Sequence, residues 1–117
     1  MVCKIGASWV RQRILKAHPN AKLAVLAVWE SMLAGDARSE IPARMFADPR
    51  ATVFWDPHRI SGRWFGARAG GGVAWDAYYG FDGSARWSTF PKGLVATGSS
   101  IIGNTSGLEH AFVPLLR

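Results

Sequence analysis

The chain has 117 residues, 49% hydrophobic and 19% charged, a composition that argues against a disordered chain and favours a folded domain. Fourteen Lys and Arg against eight Asp and Glu give a formal charge of +6, which favours a basic surface or a polyanionic partner. The single cysteine, Cys3, excludes an intramolecular disulfide and a zinc site built from several cysteines. No apolar stretch approaches the ~20 residues of a membrane span, and no signal-peptide pattern is present. We therefore expect one cytoplasmic domain, residues 1–117, without a membrane partner.

The first half of the chain alternates between helical and strand patterns. Apolar residues at helical spacing predict a helix over 3–18, which the proline at position 19 ends. The unbroken apolar run over 23–29 predicts a strand that is covered on both faces, as in a parallel sheet. Ser39 is positioned to cap a short helix that would run to Ala47.

The second half begins with another strand and helix. A short buried strand is predicted over 51–55, followed by Asp56 as the cap of a helix that ends in three glycines. Alternating apolar residues predict a strand over 73–81, and the Asp-Gly pair after it predicts a tight hairpin into a strand over 85–90. The segment 91–107, rich in Gly, Ser and Thr, predicts no definite element.

Buried strands that alternate with helices imply parallel pairing and an α/β fold. We expect one mixed sheet with a C-terminal β-hairpin, flanked by helices. A parallel sheet of such units normally opens with a strand, whereas this order opens with a helix, so we expect a strand upstream of Met1. The slot left by that strand would expose unpaired backbone, and a homodimer formed by strand exchange would fill it.

Several segments together resemble a bacterial thioredoxin-like family whose members carry a Cys-x-x-Cys or selenocysteine-x-x-Cys motif. The resemblance covers residues 2–87, and its fold would be thioredoxin-like and truncated at the N-terminus. The matching segments are Val2-Cys3, Val28–Leu33 with Asp36, Asp48-Pro49-Arg50, Phe54-Trp55-Asp56, Gly62–Phe65, Ala74-Trp75-Asp76 and Tyr79.

The family places its redox motif between the first strand and the first helix. Carried over, Cys3 matches the second cysteine of that motif, and the first cysteine or selenocysteine would fall one position before Met1. We therefore expect the coding sequence to continue upstream into a cysteine codon or a TGA codon for selenocysteine. Genomic DNA ahead of the start codon would decide this.

The resemblance implies a protein of the thiol-disulfide redox class that needs no cofactor and acts on a protein disulfide or a small thiol. Cys3 would be the resolving thiol. With one cysteine the chain can form a mixed disulfide but cannot complete a dithiol cycle, so it is either inactive or at most an incomplete oxidoreductase. Of these two, the interpretation we favour is an inert, half-buried cysteine. Val73 stands where the family has a cis-proline, and a trans bond is expected because a non-proline cis bond costs about 3 kcal/mol. Val73 and Trp75 are the predicted substrate-binding residues.

The alternative function is a non-catalytic basic module that binds nucleic acid or another polyanion, with tryptophans and arginines as stacking platforms. We favour nucleic acid less than a protein disulfide or a small thiol as the partner. The three histidines share no metal-ligand spacing, so no metal site is predicted. Asp56 and Asp76 each follow a tryptophan. They could form a carboxylate pair for acid-base chemistry. In the interpretation we favour, Asp56 instead caps a helix and Asp76 pairs with an arginine.

Overall fold

The structure is a computed structural model that describes residues 2–42, 44–68, 70–86 and 90–116, with residues 2 and 3 described by their backbone alone. Its fold is α/β, as predicted, with helices and two small sheets. The principal elements are α1 (Val2–Val10), β1 (Val25–Glu30), β2 (Ala51–Asp56), α2 (Ile60–Arg68), β3 (Ala77–Phe81), β4 (Leu94–Ser99) and α3 (Thr105–Phe112).

Two compact units make up the chain. The first unit is formed by Met1–Lys22 together with Asp76–Arg117, and the second by Leu23–Trp75. The first unit therefore contains α1, β3, β4 and α3, and the second contains β1, β2 and α2.

In the first unit, α1 continues as a π-helix over Arg11–Lys16, which agrees with the helix predicted over 3–18. Ile14, Leu15 and Leu108 are among its buried side chains, and Leu15 is fully buried. These aliphatic side chains supply the unit's core, because removing their apolar surface from water drives the packing of the helices.

In the second unit, β1 and β2 are parallel, and the predicted strands over 23–29 and 51–55 are confirmed. Their predicted burial is wrong, because a sheet of only two strands leaves its side chains partly open to solvent: Leu26 is 59% exposed and Phe54 48%. The register pairs Val25 with Ala51 and Glu30 with Asp56. Because the pair is parallel and in register, the carboxyl ends of both strands lie at one edge, where α2 begins soon after β2.

The predicted single mixed sheet is wrong, because the strands of the described residues form two separate two-stranded sheets. The predicted pairing of the hairpin is wrong: β3 pairs antiparallel with β4, in the Gly- and Ser-rich segment, rather than with 85–90. Within 85–90 the described residues 85, 86 and 90 are not in a strand, and residues 87–89 lie outside the described part of the chain.

The chain bends after β3 because Asp82 satisfies backbone groups of its own turn. Its carboxylate accepts a hydrogen bond from the Ser84 N–H at 2.9 Å, and its carbonyl accepts one from Ala85 N–H at 3.2 Å. The N–H of Asp82 donates to the Gly93 carbonyl, so the connection spans the residues between them. Gly93 has a φ of 85°, which glycine adopts without strain.

Two other boundaries differ from prediction. The strand over 73–81 begins only at Ala77, because Asp76 has a φ of 46° that breaks the extended backbone. The helix predicted from Ser39 is a single 3-10 turn over Arg38–Glu40 without a side-chain cap. Ile41 is extended there, as expected for the residue before a proline.

Candidate functional site

Cys3 lies in the first turn of α1, and that turn contains no acidic residue. The backbone N–H groups of a first turn have no intrahelical acceptor, and the helix dipole adds positive potential there. Both effects favour the thiolate form of a cysteine, which is the nucleophile in disulfide exchange. The backbone position of Cys3 is therefore one at which a helix favours a thiolate, whereas the resolving role stays a prediction from the sequence.

The carboxyl ends of β1 and β2 bring together a second group of polar side chains. Asp56 accepts hydrogen bonds from the backbone N–H of Ile60 at 2.9 Å and of Ser61 at 2.8 Å. The Ser61 hydroxyl donates to the same carboxylate at 2.6 Å. Asp56 therefore caps α2, which confirms that part of the interpretation, although the helix begins at Ile60.

Glu30 lies beside Asp56 in the strand register. Its Oε1 atom is buried and has no hydrogen-bond partner among the described residues. Burial raises the pKa of Glu30 above its usual 4.5, and the Asp56 charge raises it further, while the Gly62 backbone and the Arg59 charge oppose the shift. Burial also opposes ionisation of Asp56, but hydrogen bonds from Ser61 and from the Ile60 N–H lower the pKa of Asp56 below 3.8.

The two neighbouring carboxyl groups thus have pKa values that are shifted in opposite directions, a pattern that general acid-base sites share. Here the charged Asp56 is occupied in capping α2, which is a structural task. The sequence interpretation missed Glu30. The signal that could have found it is the repeat of a Trp-acid pair at the ends of both strands, Trp29-Glu30 and Trp55-Asp56.

Asp76 belongs to the first unit and has no arginine partner among the described residues, so that part of the interpretation is wrong. Its Oδ1 instead accepts a hydrogen bond from the backbone N–H of Ile101, at 3.4 Å. The positive φ of Asp76 sets its side chain at the start of β3 rather than on a strand face.

The predicted substrate-binding residues lie just before β3, outside any strand. The Gly72–Val73 peptide bond is trans, as expected. Val73 is half-buried, and a Cβ atom placed on Gly62 of α2 would lie only 2.7 Å from its Cγ1, so Val73 packs on that helix. Trp75 is 48% exposed. Val73 and Trp75 belong to the second unit and Cys3 to the first.

No family model, curated protein or solved structure matches this chain. The thioredoxin-like resemblance therefore stays a prediction from the sequence.

Positive charge is concentrated in the first unit. It carries eight Lys and Arg against three Asp and Glu, whereas the second unit carries six against five. Residues 1–29 contain five of these cations and no acid. Arg13, Lys16 and Lys22 are exposed, and Arg13 donates to the Glu109 carboxylate at 3.3 Å. The first unit therefore presents a predominantly basic surface.

Within the described ranges, no three His, Cys, Asp or Glu side chains are grouped so that they could hold a metal ion. Among the same residues, no helix is both long and apolar enough to cross a bilayer.

Proposed function

We propose that this protein takes part in thiol-disulfide exchange through Cys3. The observation that carries the proposal is the position of Cys3 in the first turn of α1, in a turn without acidic residues. The free N–H groups of a first turn and the helix dipole stabilise an anionic sulfur in such a position.

The reaction is a single exchange. The Cys3 thiolate attacks one sulfur of a disulfide, a new S–S bond forms between them, and the second sulfur leaves as a thiolate. Since Cys3 is the one cysteine in the sequence, a thiol from another molecule must resolve the mixed disulfide by the same reaction. The chain alone therefore does not catalyse repeated dithiol turnover.

Incubation with oxidised glutathione, followed by intact-mass spectrometry, tests this function. We expect one glutathionyl adduct, which dithiothreitol removes and which Cys3→Ser abolishes. We also expect no insulin reduction by this chain, because that assay needs a second thiol. A folded protein that stays unmodified, while the denatured protein acquires the adduct, would contradict the proposal.

A basic binding module is the second candidate, and the charge concentrated in the first unit favours it. Fluorescence anisotropy with a labelled oligonucleotide at two salt concentrations tests it. Tight binding that weakens steeply with salt would support it, because each phosphate contact releases counterions. Absence of binding at low salt would eliminate it.

A further inference from the structure

The second unit contains a cavity of about 400 Å³ between β2 and the segment that follows the 3-10 turn. Most of the residues that line it are apolar, among them Met45, Phe46, Val53 and Trp55, but polar atoms supply about half of the lining surface. Val53 and Trp55 are two residues apart on β2, so they lie on the same face of the strand. Phe46 is only 6% exposed, so its ring is packed against neighbouring residues and forms a fixed part of the cavity lining. A volume of this size is in the range of small-molecule sites.

Two charged side chains line the same cavity, and one of them is already neutralised. Asp48 accepts hydrogen bonds from Arg50 Nε at 3.0 Å and from Arg50 Nη2 at 2.8 Å. This paired guanidinium lowers the pKa of Asp48 to about 2, so Asp48 stays an ion-paired carboxylate at neutral pH. Its charge is therefore not available to another cation.

Arg38 is the other charged lining residue. Its guanidinium makes no hydrogen bond and no ion pair with any described residue. The cavity is open to solvent and has aromatic and aliphatic side chains beside one exposed positive charge, Arg38, which has no partner among the described residues. An arginine fork is suited to two parallel hydrogen bonds with a carboxylate.

We propose that this cavity binds a small organic carboxylate with an apolar or aromatic body, whose carboxylate pairs with Arg38. The apolar body would occupy the space against Phe46 and Trp55. This site is separate from the chemistry of Cys3, so failure of either proposal leaves the other standing.

Titration with 3-phenylpropionate, followed by amide NMR shifts, tests the site. The neutral 3-phenylpropanamide, which has the same shape, serves as the matched ligand. We expect saturable shifts centred on Phe46, Asp48 and Val53, with the carboxylate binding about tenfold more tightly than the amide, as for a charged hydrogen bond.

Arg38→Gln should remove the preference for the carboxylate while leaving binding of the amide in place. Arg44→Gln is the matched control, because Arg44 is an exposed arginine of the same region that does not line the cavity. A preference lost equally in both variants would show a general charge effect and overturn the proposal.

Val53→Trp provides an independent test because it fills the cavity at a partly exposed strand position, 38% exposed in the native chain. With circular dichroism confirming the fold, both ligands should lose binding. Shifts centred outside the cavity, equal affinities for the two ligands, or absence of saturable binding would each overturn the proposal.

Discussion

Glu30 lies beside Asp56 at the carboxyl ends of two parallel strands, and the pKa of Glu30 is raised whereas the pKa of Asp56 is lowered. The Glu30 Oε1 atom is buried without a hydrogen bond from the described residues, which disfavours its charge. Asp56 has three donors from the start of α2, which favours its charge. The stability of this end of the second unit should therefore depend on pH in two distinct ranges.

Glu30→Gln should stabilise the protein at neutral pH. Because the pKa of Glu30 is raised in the folded state, its stabilising contribution is fully present below the usual value of 4.5 and is lost as pH rises through the folded value. The variant has no charge to bury, so its free energy of unfolding should fall less between pH 4 and pH 7 than that of the native chain. Urea unfolding at pH 4 and at pH 7 measures the difference.

Glu40→Gln is the control for this prediction, since Glu40 is exposed on the 3-10 turn. It should leave the pH dependence unchanged. If Glu30→Gln follows the same pH profile as the native chain, the assignment of the shift to Glu30 is wrong.

Asp56→Ala should destabilise the protein by about 1 kcal/mol, because it removes the cap of α2. The pKa of Asp56 is lowered in the folded state, so its contribution is present above the usual 3.8 and is lost as pH falls through the folded value. The native chain and the variant should therefore converge in stability in acid. Equal stability at pH 7 would exclude a capping role.

Gly62→Ala should destabilise the second unit by about 1–3 kcal/mol through overpacking. A Cβ atom at this position would overlap the Glu30 carboxylate and would lie 2.8 Å from the Ala74 carbonyl oxygen, which is backbone and has little freedom to move. Gly83→Ala is the matched control, because a Cβ atom on Gly83 would have no atom within 4 Å. Thermal unfolding should separate the two variants, and equal melting temperatures would contradict this packing.

Gly80→Ala tests the first unit in the same way. A Cβ atom on Gly80 of β3 would overlap the ring of Phe112 on α3, so we expect a loss of about 1–3 kcal/mol. Phe112→Leu should recover part of that loss in the double variant, because it removes the ring that clashes. Additive effects of the two substitutions, measured by denaturant unfolding, would show that the residues do not contact each other.

The sequence predicted those elements whose patterns are local. The apolar runs gave both parallel strands, and Asp56 was correctly predicted to cap a helix. These predictions succeed because an apolar strand pattern and a helix cap depend on a few neighbouring residues. The predicted burial of the strands fails, because covering both faces of a strand requires distant segments. The helix that contains Cys3 in its first turn was predicted from apolar residues at helical spacing, which is likewise a local pattern.

The sequence-based predictions that fail concern contacts between segments that are distant in the chain. Nothing in the composition of Leu94–Ser99 distinguishes a strand from a loop, and its strand forms only because β3 pairs with it. The Glu30 site depends on the strand register and on the close approach of Gly62, which only the folded chain supplies. The cavity beside Arg38 likewise depends on how the segment after the 3-10 turn folds back on β2.

The rate at which Cys3 reacts with oxidised glutathione near neutral pH, in the folded protein and in guanidinium chloride, tests the proposed function most directly. Because Cys3 is the only cysteine, adduct formation reports on this one thiol. We predict faster reaction in the folded state, where the first turn of α1 stabilises the thiolate. A folded rate equal to or below the denatured rate would contradict the account.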